Sequence, residues 1–181
     1  MIKLEPCDVL VFKVEGDSLL ANLERIFVGG WSHVSMYLGE AFGDHLIFES
    51  NLRGASLVNL ESERGRLVKV MRPQITPAQK QLVIANAINL ASDERAAYDY
   101  PVIIMSCIPR VLKTLLPCLP IPVKYCRDII VMCAEGVAEC YWRAWILILP
   151  TSRVPLPPDF AKPSEVLEVV GEGRLMEDVL P

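Results

Sequence analysis

The ten residues Trp31 to Glu40, W-S-H-V-S-M-Y-L-G-E, constrain this chain more than any other stretch. They alternate with a period of two: Val34, Met36 and Leu38 fall on one side, and His33, Ser35 and Tyr37 on the other, as on a strand with different neighbours on each face. Such a strand needs a partner, and after the turn G-E-A-F-G-D the run His45 to Ser50 alternates in the same way. Pairing His33 with Glu49, Ser35 with Ile47 and Tyr37 with His45 sets Val34 against Phe48 and Met36 against Leu46, so one face is apolar throughout. The same register puts Glu49 directly across the ladder from His33, with Cβ atoms about 5 Å apart. A slip of one residue would carry Glu49 to the apolar face, where an unpaired carboxylate is costly.

Around this hairpin the chain predicts further elements. Val9 to Val14 reads as a short buried strand, and Leu19, Leu20, Leu23, Ile26 and Phe27 have helical spacing behind an N-cap at Asp17 or Ser18. Gly54 to Leu60 and Arg66 to Met71 read as strands joined by the charged turn E-S-E-R-G. Thr76-Pro77-Ala78-Gln79 is a capping box with proline at the first helical position, opening a helix to about Ala91 with Leu82, Ala85, Ile88 and either Leu90 or Ala96 inward. A long helix is expected from Asp128 to about Leu149, with Ala134, Val137, Ala138, Tyr141 and Trp145 on one stripe and Glu139 paired to Arg143. The pattern predicts one α+β domain over residues 1–170 and a frayed, flexible tail over 171–181.

Composition narrows the function classes. At 181 residues the chain can bury roughly 70% of its unfolded surface. Its mean hydropathy of +0.33 raises the question of a membrane span, but charges and prolines interrupt the richest region, Pro101 to Pro150. The excess reads instead as a deep core, an apolar ligand pocket or a surface for peripheral membrane contact. A net charge of −4 with scattered Lys and Arg argues against nucleic acid as a partner. The amino terminus has no charged leader followed by an apolar run, so a reducing, cytoplasmic setting is the expectation, with a virion or phage lysis system as the other route. In that setting the six cysteines are free thiols; with no C-x-x-C pair and only two histidines, neither a metal nor another cofactor is expected.

A thiol nucleophile needs a base, a group that orients the base, and a local field that favours the thiolate. His33 and Glu49 provide the first two. Cys133 lies near the start of the strong helix, where free N–H groups and the helix dipole favour a thiolate and can hold an oxyanion. Cys126 is its rival just ahead of the same helix, and Cys140 lies too far along. A cysteine between Val131, Met132 and Ala134 also reads as a small core residue when taken alone. Ser35 and Tyr37, on the strand face of His33, are the candidate substrate-binding residues.

The segments I-F-V-G-G-W-S-H-V-S-M-Y-L-G, L-I-F-E-S and G-A-S-L-V-N-L, then Cys133-Ala134-Glu135-Gly136, resemble the circularly permuted NlpC-like hydrolases of the YiiX/YebB group. Tyr98-Asp99 and the closing P-P-D-F-A-K-P-S-E are similar too, so the likeness spans roughly residues 5 to 168 in order. Ala134 and Gly136 stand where that group has Ser and Leu after the cysteine. The resemblance implies a papain-like fold and a Cys-His-Glu hydrolase: Cys133 attacks a carbonyl, His33 moves the proton, Glu49 holds the imidazole, and an acyl-enzyme forms. It implies an amide, ester or thioester in a peptide or a lipid as substrate, and the apolar Pro101 to Pro122 segment leans toward a lipid-like acyl group. A viral or effector protease would carry the same three residues. The rival from another class is a non-catalytic module that binds a lipid or a partner on the same fold.

Overall fold

A computed structural model describes residues 1–16, 30–51, 54–93, 133–149 and 155–181. The helix expected behind Asp17 or Ser18, the start of the long helix at Asp128, Tyr98-Asp99, the apolar Pro101 to Pro122 segment and Cys126 lie outside the described residues.

The alternating runs form an antiparallel sheet. Its strands are β2 (Val9–Lys13), β3 (Trp31–Ala41), β4 (Asp44–Asn51), β5 (Gly54–Asn59), β6 (Leu67–Pro73) and β7 (Leu167–Arg174), in the order β5-β4-β3-β2-β6-β7. A short 3-10 helix, Leu60–Glu63, follows β5 where the charged turn is expected, and the chain then re-enters the sheet on the far side of β2. Two short strands, β1 (Ile2–Lys3) and β8 (Val179–Leu180), pair in parallel.

Both faces of the sheet are covered. On one, Val9, Val11, Val34, Met36, Phe48 and Met71 pack against α1 (Pro77–Ser92) and α2 (Cys133–Trp142). On the other, Leu10, Phe12, Tyr37, Ile47, Val68 and Val70 pack beneath Leu60, Leu175 and Val179. The predicted alternation is therefore correct, although its polar side is mostly a second core. A one-turn helix, α3 (Pro157–Phe160), packs over β2 and β3.

The hairpin register departs from expectation by three residues beside the turn and by two around Glu49. Ser35, not His33, lies opposite Glu49; Met36 lies opposite Phe48, and Tyr37 opposite Ile47. The cause is the turn. Phe42 and Gly43, with φ of 57° and 85°, close a tight two-residue loop between Ala41 and Asp44, and an irregularity between Tyr37 and Gly39 takes one residue of the shift back. Because the slip around Glu49 is even, His33 and Glu49 keep a common face as diagonal neighbours.

Three other expectations are corrected. Residues 171–181 are not a flexible tail: Gly171, Gly173 and Arg174 pair with Val70, Val68 and Leu67, and Leu175 and Val179 are buried. In α1 the capping box forms, with Thr76 and Gln79 exchanging hydrogen bonds, but Val83, Ala87 and Leu90 face inward while Leu82 and Ile88 are 54% and 45% exposed. Asn86 sets that rotation by donating to the Cys140 carbonyl at 3.0 Å. Finally, α2 ends at Trp142. The Ile146 N–H returns to the Tyr141 carbonyl and the Trp145 N–H to that of Trp142, a Schellman closure with Trp145 at φ 61° where glycine is usual. Trp145 therefore leaves the buried stripe and is 95% exposed. The Glu139 to Arg143 pair forms at 2.9 Å.

A buried ion pair ties the sheet to the chain entering β2. Asp8 is fully buried and accepts from Arg72 Nε and Nη2 at 2.9 and 2.7 Å, as well as from the Glu5 N–H at 2.8 Å. Next to it, Cys7 at φ 75° offers its carbonyl to the Tyr141 hydroxyl at 2.6 Å, joining β2 to α2. Replacing Asp8 with alanine removes Arg72's two-pronged partner while leaving it Glu5 and the Lys3 carbonyl, and is expected to cost about 2 kcal/mol, read from the urea midpoint.

Candidate active site

Cys133 is the first residue of α2, and α2 lies across β3 and β4 on the Val34 and Phe48 face. The β3–β4 ladder ends at the Ser35–Glu49 pair. Beyond that point Val34 has no β4 partner, and its N–H donates to the Cys133 sulfur, as does the N–H of Ala134. Strand β2 stays paired through Phe12 and His33 and then shifts register before Lys13 and Trp31. This irregularity sits beside His33, where a bulge can re-aim a side chain.

His33 is the link between the three groups. It is hydrogen-bonded to Cys133, and its Nε2 lies 3.4 Å from Glu49 Oε2. Glu49 is nearly buried, and its other oxygen, Oε1, accepts from Asn51 Nδ2 at 2.7 Å. The Phe12 ring lies 5.7 Å from the imidazole, centroid to centroid, and the Arg66 guanidinium stacks over the Phe12 ring at 4.5 Å.

The electrostatics run one way. Burial alone would push the His33 pKa down, but hydrogen bonds to Cys133 and Glu49, and the charges of both, raise it to about 9. For Cys133 burial favours the neutral thiol; the hydrogen bond and charge of His33, together with the Val34 and Ala134 N–H groups, overrule it and hold the thiol below its ordinary value. The Glu49 carboxyl is lowered chiefly by its bond to His33, against the opposing effect of burial, with help from Asn51 and the Arg66 charge. The arrangement favours a thiolate beside an imidazolium beside a carboxylate. The sign follows from each shift. The thiolate persists as pH falls below 9.0, and the imidazolium persists until pH rises through about 9.

The other described cysteines are held neutral. Burial pushes the Cys7 thiol up to about 12, and raises Cys140 further still. Cys7 donates to the Lys80 carbonyl and Cys140 to that of Gly136.

The two residues expected to touch substrate do not line this site. Ser35 is fully buried between Leu10 and Glu49 in the ladder, and its Oγ has no hydrogen-bond partner among the described residues. Tyr37 is 3% exposed in the second core, and its hydroxyl is bonded to His45 Nδ1 at 2.7 Å. The even register slip and the double-sided core explain both: a polar face of β3 becomes an interior. Asn51, Phe12 and Arg66 were not singled out by the sequence. For Asn51 a signal existed, because it lies two residues beyond Glu49 on the same strand and so on the same face.

Together, fold and site define a small α+β domain with a mainly antiparallel sheet, a helix beginning at a cysteine, and a histidine and glutamate on adjacent strands. Among solved structures it is similar to the metalloprotein yiiX from Escherichia coli O157:H7, over 94% of this chain and 98% of that one, with a TM-score of 0.61 and 14% identity. At that identity the likeness establishes the fold. No protein-family model and no curated protein matches the sequence. The neighbour is described as a metalloprotein; among the described residues of this chain no group of three or more His, Cys, Asp or Glu is placed to hold a metal ion. No helix among the described residues is long and apolar enough to cross a membrane.

Iodoacetamide at about pH 7 should alkylate Cys133 well before Cys7 or Cys140, as peptide mass spectrometry would show. Equal labelling of Cys133 and Cys7 would contradict the thiolate assignment.

Proposed function

We propose that the chain is a cysteine hydrolase of the permuted NlpC-like, papain-like kind, acting on an amide, ester or thioester through an acyl-enzyme. One observation carries the reading: a half-buried thiol hydrogen-bonded to an imidazole whose Nε2 faces a buried carboxylate at 3.4 Å. The fold shared with yiiX supports it as a scaffold and carries no activity by itself.

In this reading the Cys133 sulfur attacks the substrate carbonyl carbon. With Nε2 turned to Glu49, Nδ1 is the nitrogen that serves Cys133 and then protonates the leaving group. Glu49 fixes the ring and balances its charge, and backbone N–H groups where α2 begins hold the oxyanion. Water or another acceptor then attacks the acyl-enzyme, with His33 as base, and frees the thiolate. Peptide and lipid-like acyl groups both fit this chemistry.

Incubation with p-nitrophenyl acyl esters of graded chain length should place one acyl group on Cys133, seen by intact mass, with release of p-nitrophenolate. Cys133→Ala should abolish the adduct, and His33→Ala should slow it by about 10²-fold or more. A module that only binds would form no adduct. Acyl transfer to other cysteines with Cys133 untouched would sink the proposal.

A further inference from the structure

We infer that Asn51 is a positioning residue for the Cys133–His33–Glu49 array, acting through Glu49; this rests on the hydrolase reading. A glutamate has three side-chain torsions and two equivalent oxygens, so a carboxylate facing an imidazole does not hold still unaided. In this site the two oxygens have different partners. Oε1 accepts from Asn51 Nδ2 at 2.7 Å, and Oε2 faces His33 Nε2 at 3.4 Å. The shorter contact is the one to Asn51, so the amide anchors the carboxylate and the imidazole docks on the oxygen that remains.

Strand geometry makes this anchoring firm. Glu49 and Asn51 are two apart on β4, so their side chains leave the same face of the sheet. Both are held from the far side by β5, Glu49 opposite Ser56 and Asn51 opposite Gly54. On the near side the β3–β4 pairing ends at Ser35–Glu49, so Asn51 lies two residues past the last paired position, at the register position of His33. Asn51 thus stands just past the end of the β3–β4 pairing, and its amide restrains the Glu49 carboxylate there. An amide is suited to the task. It donates to a carboxylate at any working pH and brings no charge that would compete with the imidazolium for Glu49. Arg66 gives Glu49 positive charge from another direction but does not fix its rotamer; its guanidinium is tied to Glu63 and stacked on Phe12.

The test is the pH profile of Cys133 alkylation by iodoacetamide, followed by peptide mass spectrometry in wild type, Asn51→Leu and Asn51→Ser. Leucine keeps the branching pattern and removes the donor; serine keeps a shorter donor. If Asn51 positions Glu49, the profile midpoint in Asn51→Leu rises by about one pH unit, which is about tenfold slower labelling on the acid side, and Asn51→Ser lies between. A role in stability alone would lower the urea midpoint and leave the profile in place. Profiles of both variants superimposed on wild type would overturn the inference, and Asn51→Ser decides the matter should Asn51→Leu not fold. A wild-type profile like that of an ordinary thiol would instead sink the hydrolase reading, so the two failures are distinct.

Discussion

The pairing of β3 on both edges and its coverage on both faces is the constraint from which the rest follows. A strand so enclosed has its backbone groups satisfied by β2 and β4 and its side chains sorted into two cores by parity. Any odd shift of register would place Val34 and Met36 among the residues around Glu49 and expel Phe48 from the helix side. Around Glu49 only even shifts survive, and every even register there leaves His33 and Glu49 on one face. The site is therefore fixed by burial first and by hydrogen bonding second.

Enclosure also explains why the site lies where it does. In the middle of β3 a polar side chain has no room to act: Ser35 and Tyr37 are interior. At the Trp31 end the β4 ladder has stopped, the β2 ladder is irregular, and a backbone N–H is free to turn to a sulfur. Three charged groups can share this place because each compensates the desolvation of the next. Burial opposes the charged forms of Cys133, His33 and Glu49 alike, and in each case the hydrogen bonds and charges of the neighbours together outweigh it. Removing one member leaves the others buried without compensation, so the three act as a unit.

Much of this was legible in the sequence. The period-two pattern gave β3, β4 and their shared apolar face, and the capping box gave α1 to within a residue. His33, Glu49 and Cys133, singled out in that order along the chain, are brought together by the fold. What could not be read depended on tertiary choices between equal local patterns. Leu82, Ala85 and Ile88 make as good a helical stripe as Val83, Ala87 and Leu90, and it is tertiary packing with α2, joined by the Asn86 bond, that favours the second. The exact register depended on Phe42 taking a left-handed conformation that its type does not favour, and the end of α2 on Trp145 doing the same. The expected tail was hidden for a different reason: its alternation around Gly171 and Gly173 is weak, yet those glycines admit Ile2 and Val179 at close range, so β1 and β8 dock over β7.

His33 holds its proton to a higher pH than a free imidazole because the Cys133 sulfur and the Glu49 carboxylate both face it. With only two histidines in the chain, a side-chain NMR titration following the imidazole nitrogen and carbon shifts of His33 tests it most directly. The structure predicts that His33 titrates near 9 in the wild-type protein and moves toward 6.5 when Cys133 is replaced by alanine. A wild-type His33 titrating near 6.5, unmoved by loss of Cys133, would contradict it.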